Sequence, residues 1–329
     1  MDKQVVISVK TIIFTLLILL GGYVVYSLRS VIGTLLLASL IVISMEQLIG
    51  YFRKFIVFNK PVSRGAAVLI SYALLIIVLV GIVTFILPSV VIEFQKLIVN
   101  LSSIISQLNI PVDLQDALTS IVPQASKVSS GIASAAISVF SNVAAFVSLL
   151  IFSIYMSLDW ENIKKGIVSL FPRKEEDTVK DTIEEIERSV GDWIRGQVVL
   201  MASIGVASSI GLAILGVKYA AGLGVVAGIL EIIPLLGPTI SAVLAGIIGF
   251  ADSPVKGVGV VTLFIIIQQL ENNILVPKIM GKISGFRPLI ILLALLVGTN
   301  FFGAIGAVCA VPMLMISTIL FKKLLKTSF

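Results

Sequence analysis

Apolar residues in this chain come in runs long enough to cross a membrane, with charge confined to the stretches between them. Thr11 to Leu28 forms the first run, behind Lys3 and Lys10, and Val31 to Gly50 the second, after only Arg29 and Ser30. The first has the charge and apolarity of a signal peptide, but a second run so close behind it predicts a hairpin of two retained helices. Arg53, Lys54, Lys60 and Arg64 make a basic loop, and Gly65 to Val90 supplies a third span. From 93 to 127 the chain is mixed polar, with Phe94, Leu97, Ile98, Leu101, Ile104 and Ile105 at helical spacing, which predicts an external amphipathic segment. Val128 to Leu158 carries no charge and would be about 46 Å long as a helix, so it predicts a fourth span that tilts or overhangs a ~30 Å core. Asp159 to Arg195 is strongly charged, and its alternation of sign predicts a helix at the cytoplasmic surface. Gly196 to Val217 is a fifth span.

Beyond Val217 the pattern changes. Tyr219 to Ala251 has Glu231 as its only charge, Lys256 to Pro277 is a shorter segment, and Leu289 to Phe321 is uncharged. The two long runs exceed one span of about 20 residues and fall short of two. Within the first, Ile232-Ile233-Pro234-Leu235-Leu236-Gly237-Pro238 cannot be continuous helix, because two prolines remove backbone donors and Gly237 permits a sharp turn. Leu235 to Ala245 can also be laid on Phe301 to Ala310 with one gap at Thr239, and each copy follows a spanning helix. Reading both long runs as half-membrane hairpins puts more of the basic residues inside than reading them as full spans. The expectation is an all-α polytopic membrane protein. Residues 1–158 form scaffold spans, 159–195 a charged cytoplasmic helical segment, and 196–329 a transport domain. That domain holds inverted repeats at about 197–251 and 254–320, each a spanning helix with a re-entrant helical hairpin. Eight simple transmembrane helices are the alternative.

Composition supports the membrane reading: of 329 residues, 58% are hydrophobic and 13% charged, with a mean hydropathy of +1.13. The runs are solidly apolar instead of alternating, which argues against a β-barrel. A net charge of +6 is what basic cytoplasmic loops produce and calls for no nucleic-acid partner. The single cysteine, Cys309, excludes an internal disulfide framework and reads as a packing residue. With no histidine, the usual zinc ligand and the usual general base are missing, so an enzyme is not expected. No phosphate-binding GxxxxGK[ST] stretch occurs and no calcium-loop spacing appears, so neither ATP drive nor any cofactor or metal is expected.

Candidate chemistry lies in the last third. Glu231 stands beside the helix break, and an intramembrane carboxylate is a functional candidate by default. Only a short uncharged stretch precedes Glu271, so Gln268-Gln269-Leu270-Glu271-Asn272-Asn273 falls partly at membrane depth. Gln268, Glu271 and Asn272 share a helical face with Leu275. Glu231 and Glu271 are the candidates for ion or substrate coupling. The blander readings are an interhelical partner for Glu231 and an interfacial anchor for Glu271. Gln268, Asn272, Asn273, Thr299 and Asn300 are the candidate substrate pathway, and Pro234, Gly237, Pro238 and Gly303 mark the hairpin tips. Glycines 205, 211, 216, 222, 224 and 228 read as close-packing positions, and Tyr23, Tyr26 and Trp193 as interface anchors.

The order of these stretches carries a resemblance. Ile194-Arg195-Gly196-Gln197, Leu215-Gly216-Val217, Ile233-Pro234-Leu235-Leu236-Gly237-Pro238, Gln269 through Gly281 (including Glu271-Asn272-Asn273 and Pro277-Lys278-Ile279-Met280), Gly303-Ala304-Ile305-Gly306 and Val311-Pro312 succeed one another as in the autoinducer-2 exporter (permease) family, over about 190 to 315. Where that family has a histidine before the last span, this chain has Arg287. The resemblance implies a secondary transporter of the cytoplasmic membrane that assembles as a homo-oligomer, with a pentamer suggested by the family; elevator-like alternating access of the repeat unit against the scaffold is the mechanism expected of the inverted repeats. It implies export of a small polar molecule such as autoinducer-2, or exchange of sodium or lithium for protons; proton coupling of the export is expected from Glu231 and Glu271. An oligomeric channel is the competing class. Both termini are expected on the cytoplasmic side, with membrane lipid around the spans.

Overall fold

A computed structural model describes residues 9–57, 60–81, 84, 143–280 and 285–327. Apart from a two-residue antiparallel bridge that pairs Ile56 with Pro61 and Val57 with Lys60, these residues form helices and turns. The external segment expected at 93–127 lies outside the described residues, as do parts of the third and fourth expected spans.

The first half gives α1 (Val9–Ser27), α2 (Arg29–Arg53), α3 (Arg64–Gly81), α4 (Val143–Leu158) and α5 (Trp160–Val168). Ile13 to Leu20 of α1 are exposed all round, as suits a helix whose solvent is hydrocarbon. By contrast α2 buries Gly33, Ala38, Leu40, Val42, Ile43 and Ile49, and packs against α3 and α4.

Glu176–Ile214 is one continuous helix, α6, of 39 residues, about 58 Å long. It is longer than a hydrocarbon core, so its charged first half projects beyond the apolar layer. The sequence-based boundary at 195/196 is therefore not a structural one. Charge changes there, but the helix passes through Gly191 and Gly196 without interruption, and the expected surface helix and fifth span are two parts of one rod.

α7 (Ala220–Leu230), α8 (Leu236–Asp252), α9 (Pro254–Leu270), a π-turn (Glu271–Leu275), α10 (Val276–Met280) and α11 (Pro288–Thr327) complete the described chain. Gly216 at φ 64° ends the rod. Ser253 caps α9 by accepting from the Lys256 N–H at 3.2 Å, and Pro254 follows as its first residue. By length and apolarity five helical stretches suit a membrane crossing: α2, α3, Arg173–Ile214, Pro254–Met280 and Pro288–Lys323.

Ion pairs mark the two ends of this bundle. At one end Arg64 makes a two-pronged bond to Glu46 at 2.9 Å on each prong, donates to the Ser157 carbonyl and lies 3.6 Å from Glu161. Lys164 joins Glu161 to Glu187 on α6, and Lys323 reaches Glu185. At the other end, about 40 Å of helix away, Asp252 pairs with both Lys218 and Lys256. Lys218 precedes α7 and Asp252 ends α8, so the two ends of this stretch lie side by side.

α11 also doubles back. Gly303 has φ 60° and ψ −138°, outside helical geometry, and the chain reverses there so tightly that a Cβ on Gly306 would sit 1.8 Å from the Gly298 carbonyl oxygen. The core follows from these folds. α6, α7, α8 and α9 enclose Ile204, Val226, Leu244, Val260 and Phe264. Leu40 and Ile43 of α2 pack with Val190 of α6 and Cys309 of α11.

Candidate functional site

The break between α7 and α8 is dictated locally. Pro234 has no N–H to give the Leu230 carbonyl, so the Ile233 N–H takes that acceptor at 3.1 Å in a tightened last turn. Leu235 then adopts φ 70°, ψ −45°, a strained state for a branched side chain. Gly237 follows where a Cβ would lie 2.0 Å from the Leu230 oxygen, so only glycine fits. Pro238 falls in the first turn of α8, where a missing N–H costs nothing.

This break leaves the Glu231 carbonyl without its helical donor, and the Gln197 side-chain amide of α6 donates to it. The Glu231 side chain is 1% exposed, and one carboxyl oxygen, Oε2, has no hydrogen-bond partner among the described residues. It lies within electrostatic reach of Glu271, itself 6% exposed. Gln268 donates to Glu271 Oε2 at 3.2 Å. Two buried carboxyl groups within electrostatic reach, and two amides, one on the Glu231 backbone carbonyl and one on Glu271 Oε2, therefore come from α6, the end of α7 and the end of α9. Burying ionised carboxylates is expensive, and two unneutralised ones in proximity are more so.

Glu271 opens the π-turn, and that wider turn alters the expected face. Gln268 and Glu271 stay together, but Asn272 is exposed, because an i+5 turn breaks the three- and four-residue spacing on which the shared face rests. Asn273 is exposed too and donates to the Gln269 carbonyl and side-chain oxygens, both at 2.9 Å. Thr299 and Asn300 are exposed near the Gly303 bend, with the Thr299 hydroxyl turned back onto the Leu295 and Leu296 carbonyls. The two bends approach each other: Ile233 packs against Leu295, Ala307 and Ala310, on either side of Gly303. Arg287 is exposed ahead of α11.

Sequence reasoning left Gln197 unassigned. Its signal was a lone amide in an apolar helical run, 4% exposed in the structure. Next to it lies a cavity of about 280 Å³ between α2, α3, α4 and α6. Its wall is almost wholly apolar, with Ser44, Trp193 and Gln197 as the polar-capable members and Ile232 of the break beside them. Among the described residues no group of histidine, cysteine and carboxylate side chains is arranged to hold a metal ion.

Comparison with known proteins matches residues 12–326 to the family described as AI-2E family transporter. A protein named as a candidate transport protein, YrrI, of Bacillus subtilis (strain 168) is 37% identical over 171 residues, 52% of this chain and 48% of that one. YueF of the same organism, named likewise, is 30% identical over 200 residues, 60% of this chain and 54% of its own. A similarly named protein of Thermotoga maritima is 28% identical over 239 residues, 69% and 71% of the two chains. The chain spans about half the length of the two Bacillus relatives it matches.

Proposed function

The chain belongs to the AI-2E family of transporters, and on that premise we propose that it is a secondary active transporter in which Glu231 and Glu271 couple movement of a small polar solute to a proton. The observation that carries this reading is the buried pair itself. Two carboxyls beside a helix break, one with an open oxygen, favour a state that holds a proton, and a bound solute donor can replace that proton. Export of autoinducer-2 is the proposed direction and solute, in keeping with the family description.

The proposed mechanism is alternating access in the cytoplasmic membrane, with both termini inside and several copies assembled side by side. The 220–252 stretch and the stretch around Gly303 act as re-entrant hairpins of an inverted pair of repeats, moving against α2, α3 and α4. Support comes from the reversal of both stretches and from the cavity where they face the scaffold. Because α6 crosses residue 195 without a break and α7 packs closely against it at Gly205, Gly224 and Gly228, the first hairpin stays attached to α6 in this proposal.

A second reading, exchange of sodium or lithium for protons, is favoured by the unpartnered Glu231 oxygen, which offers a cation a ligand. Counterflow in proteoliposomes under an imposed proton gradient separates the readings. Uptake of a furanone signal driven by the gradient supports the first, Na⁺- or Li⁺-driven proton movement supports the second, and gradient-independent conductance points to a channel and sinks both.

A further inference from the structure

We propose that Gln197 is a positioning residue for the carboxylate pair: its amide fixes the helix break at Glu231 and so sets where the Glu231 carboxyl points. The proposal rests on the transport reading for its functional consequence and on geometry for the rest. In an unbroken helix the Glu231 carbonyl would accept from the N–H four residues on, at Leu235. Leu235 has left helical geometry at φ 70°, so that bond is forfeited, and an unmet carbonyl in a buried site costs free energy comparable to a lost hydrogen bond. The Gln197 amide replaces it from a different helix. The orientation of residue 231 is thereby fixed to α6.

That helix is itself anchored. Glu187, ten residues before Gln197, receives the Trp160 indole N–H and lies 3.3 Å from Lys164, both on α5. Gln197 thus links a rod held by the scaffold to a strained break that carries a buried carboxyl. It also forms part of the cavity wall, next to Ile232. A solute in that cavity meets Gln197 and the residue after Glu231 together, so one amide senses the cavity on one side and holds the carboxylate break on the other. A glutamine that only filled space would need no donor directed at this carbonyl.

The test uses the full chain in detergent and in proteoliposomes, with Gln197→Met, which keeps length and removes the donor, and Gln197→Glu, which keeps shape and replaces the donating amide. Buried carboxyls are labelled with the apolar reagent dicyclohexylcarbodiimide and quantified by mass spectrometry. Thermal melting reports folding, and Gln197→Asn, an amide one methylene shorter, tests whether reach matters. The proposal expects Gln197→Met to melt within a few degrees of the parent, to change labelling at Glu231 several-fold while Glu271 stays within about twofold, and to lower coupled flux about tenfold, the loss one buried hydrogen bond carries. Unchanged Glu231 labelling in both Met and Glu variants overturns it, as does a parallel change at both carboxyls accompanied by lowered melting, which marks a merely structural role. Labelling is independent of transport, so a parent protein with no coupled flux but a selective Glu231 response would refute the transport reading and leave the positioning role standing.

Discussion

Glu231 and Glu271, forty residues apart in the chain, bring buried carboxyl groups within electrostatic reach of each other at the junction of a helix break and a π-turn. Each irregularity carries one member of the pair. Strain and wide turns cluster at functional sites because the surrounding structure must over-determine them. The pair predicts opposite effects on stability and on transport. Glu231→Gln relieves the proximity of the two carboxyls, so it should hold or slightly raise the melting temperature while lowering gradient-driven flux strongly but measurably. Glu271→Gln should lose flux similarly, and the double variant should transport no worse than either single one, since the two act as a unit. Melting curves and proteoliposome flux on the three variants check this; a double variant that is additively worse argues for separate roles.

Gly237 sits where a Cβ would meet the Leu230 carbonyl oxygen at 2.0 Å, whereas the nearest atom to a Cβ on Gly246 of the same helix is a Val261 methyl at 3.8 Å. Gly237→Ala should therefore cost about 2–4 kcal/mol, as backbone must shift, while Gly246→Ala should be neutral or gain a few tenths from helix propensity. Denaturant titration in mild detergent distinguishes them. Equal effects at the two positions would mean that the break has room to relax.

Arg64 ties Glu46 of α2 to the end of α4 through the Ser157 carbonyl, in a half-buried site. Arg64→Met would strand Glu46 among apolar helices and leave the carbonyl unmet, so we expect a loss of about 3 kcal/mol. Glu46→Gln with Arg64→Met together should recover part of that loss, because the stranded charge is gone. A double-mutant cycle from unfolding midpoints measures the coupling.

The all-helical class is legible in the long uncharged runs, and the structure breaks helical geometry within both of the longest, at Leu235 and at Gly303. Glu231 and Glu271 were legible because a carboxylate in an apolar run stands out. What sequence could not convey depends on three-dimensional registration. Glu46 disappears into a run counted as apolar, and its partner Arg64 reads as one more basic loop residue. Gln197 bonds a backbone carbonyl that exists as a free acceptor only because the helix breaks 34 residues later. Asn272 shares a face with Glu271 under ordinary helical spacing, and one π-turn removes it.

Asp252, outside the apolar spans, has its carboxyl held below the ordinary value of 3.8, chiefly by the hydrogen bond from Lys256, assisted by Lys218 and opposed by burial. A depressed carboxylate contributes stability that is present above its unfolded pKa and lost as pH falls through the folded value. The parent should thus melt higher than Asp252→Asn from neutral pH down to about 4, and the gap should close only as the pH falls further, through the depressed folded value. A difference that stayed constant into acid would assign the effect to packing and not to the ion pairs. Lys218 is well exposed, so the gap at neutral pH should be small.

The shared carboxylate also fixes a topological prediction. Lys218 and Lys256 both reach Asp252, so the segment between them must begin and end on one side of the membrane. If that segment were a single full crossing, its two ends would be separated by a hydrocarbon core of about 30 Å, which no lysine could bridge. In a Cys309→Ala background, cysteines at Lys218 and Val255, the latter 82% exposed, should label with an impermeant maleimide from the same side, and Lys322→Cys from the other. The α6 rod demands the second half of that result: its Glu185 contacts Lys323 near one end, and the chain reaches Lys218 just past the other. Labelling of 218 and 255 from opposite sides would rule out the inward-and-back course of α7 and α8. Glu231 would then lie on an ordinary spanning helix, and the case for a gated carboxylate pair would have to be rebuilt from Glu271 alone.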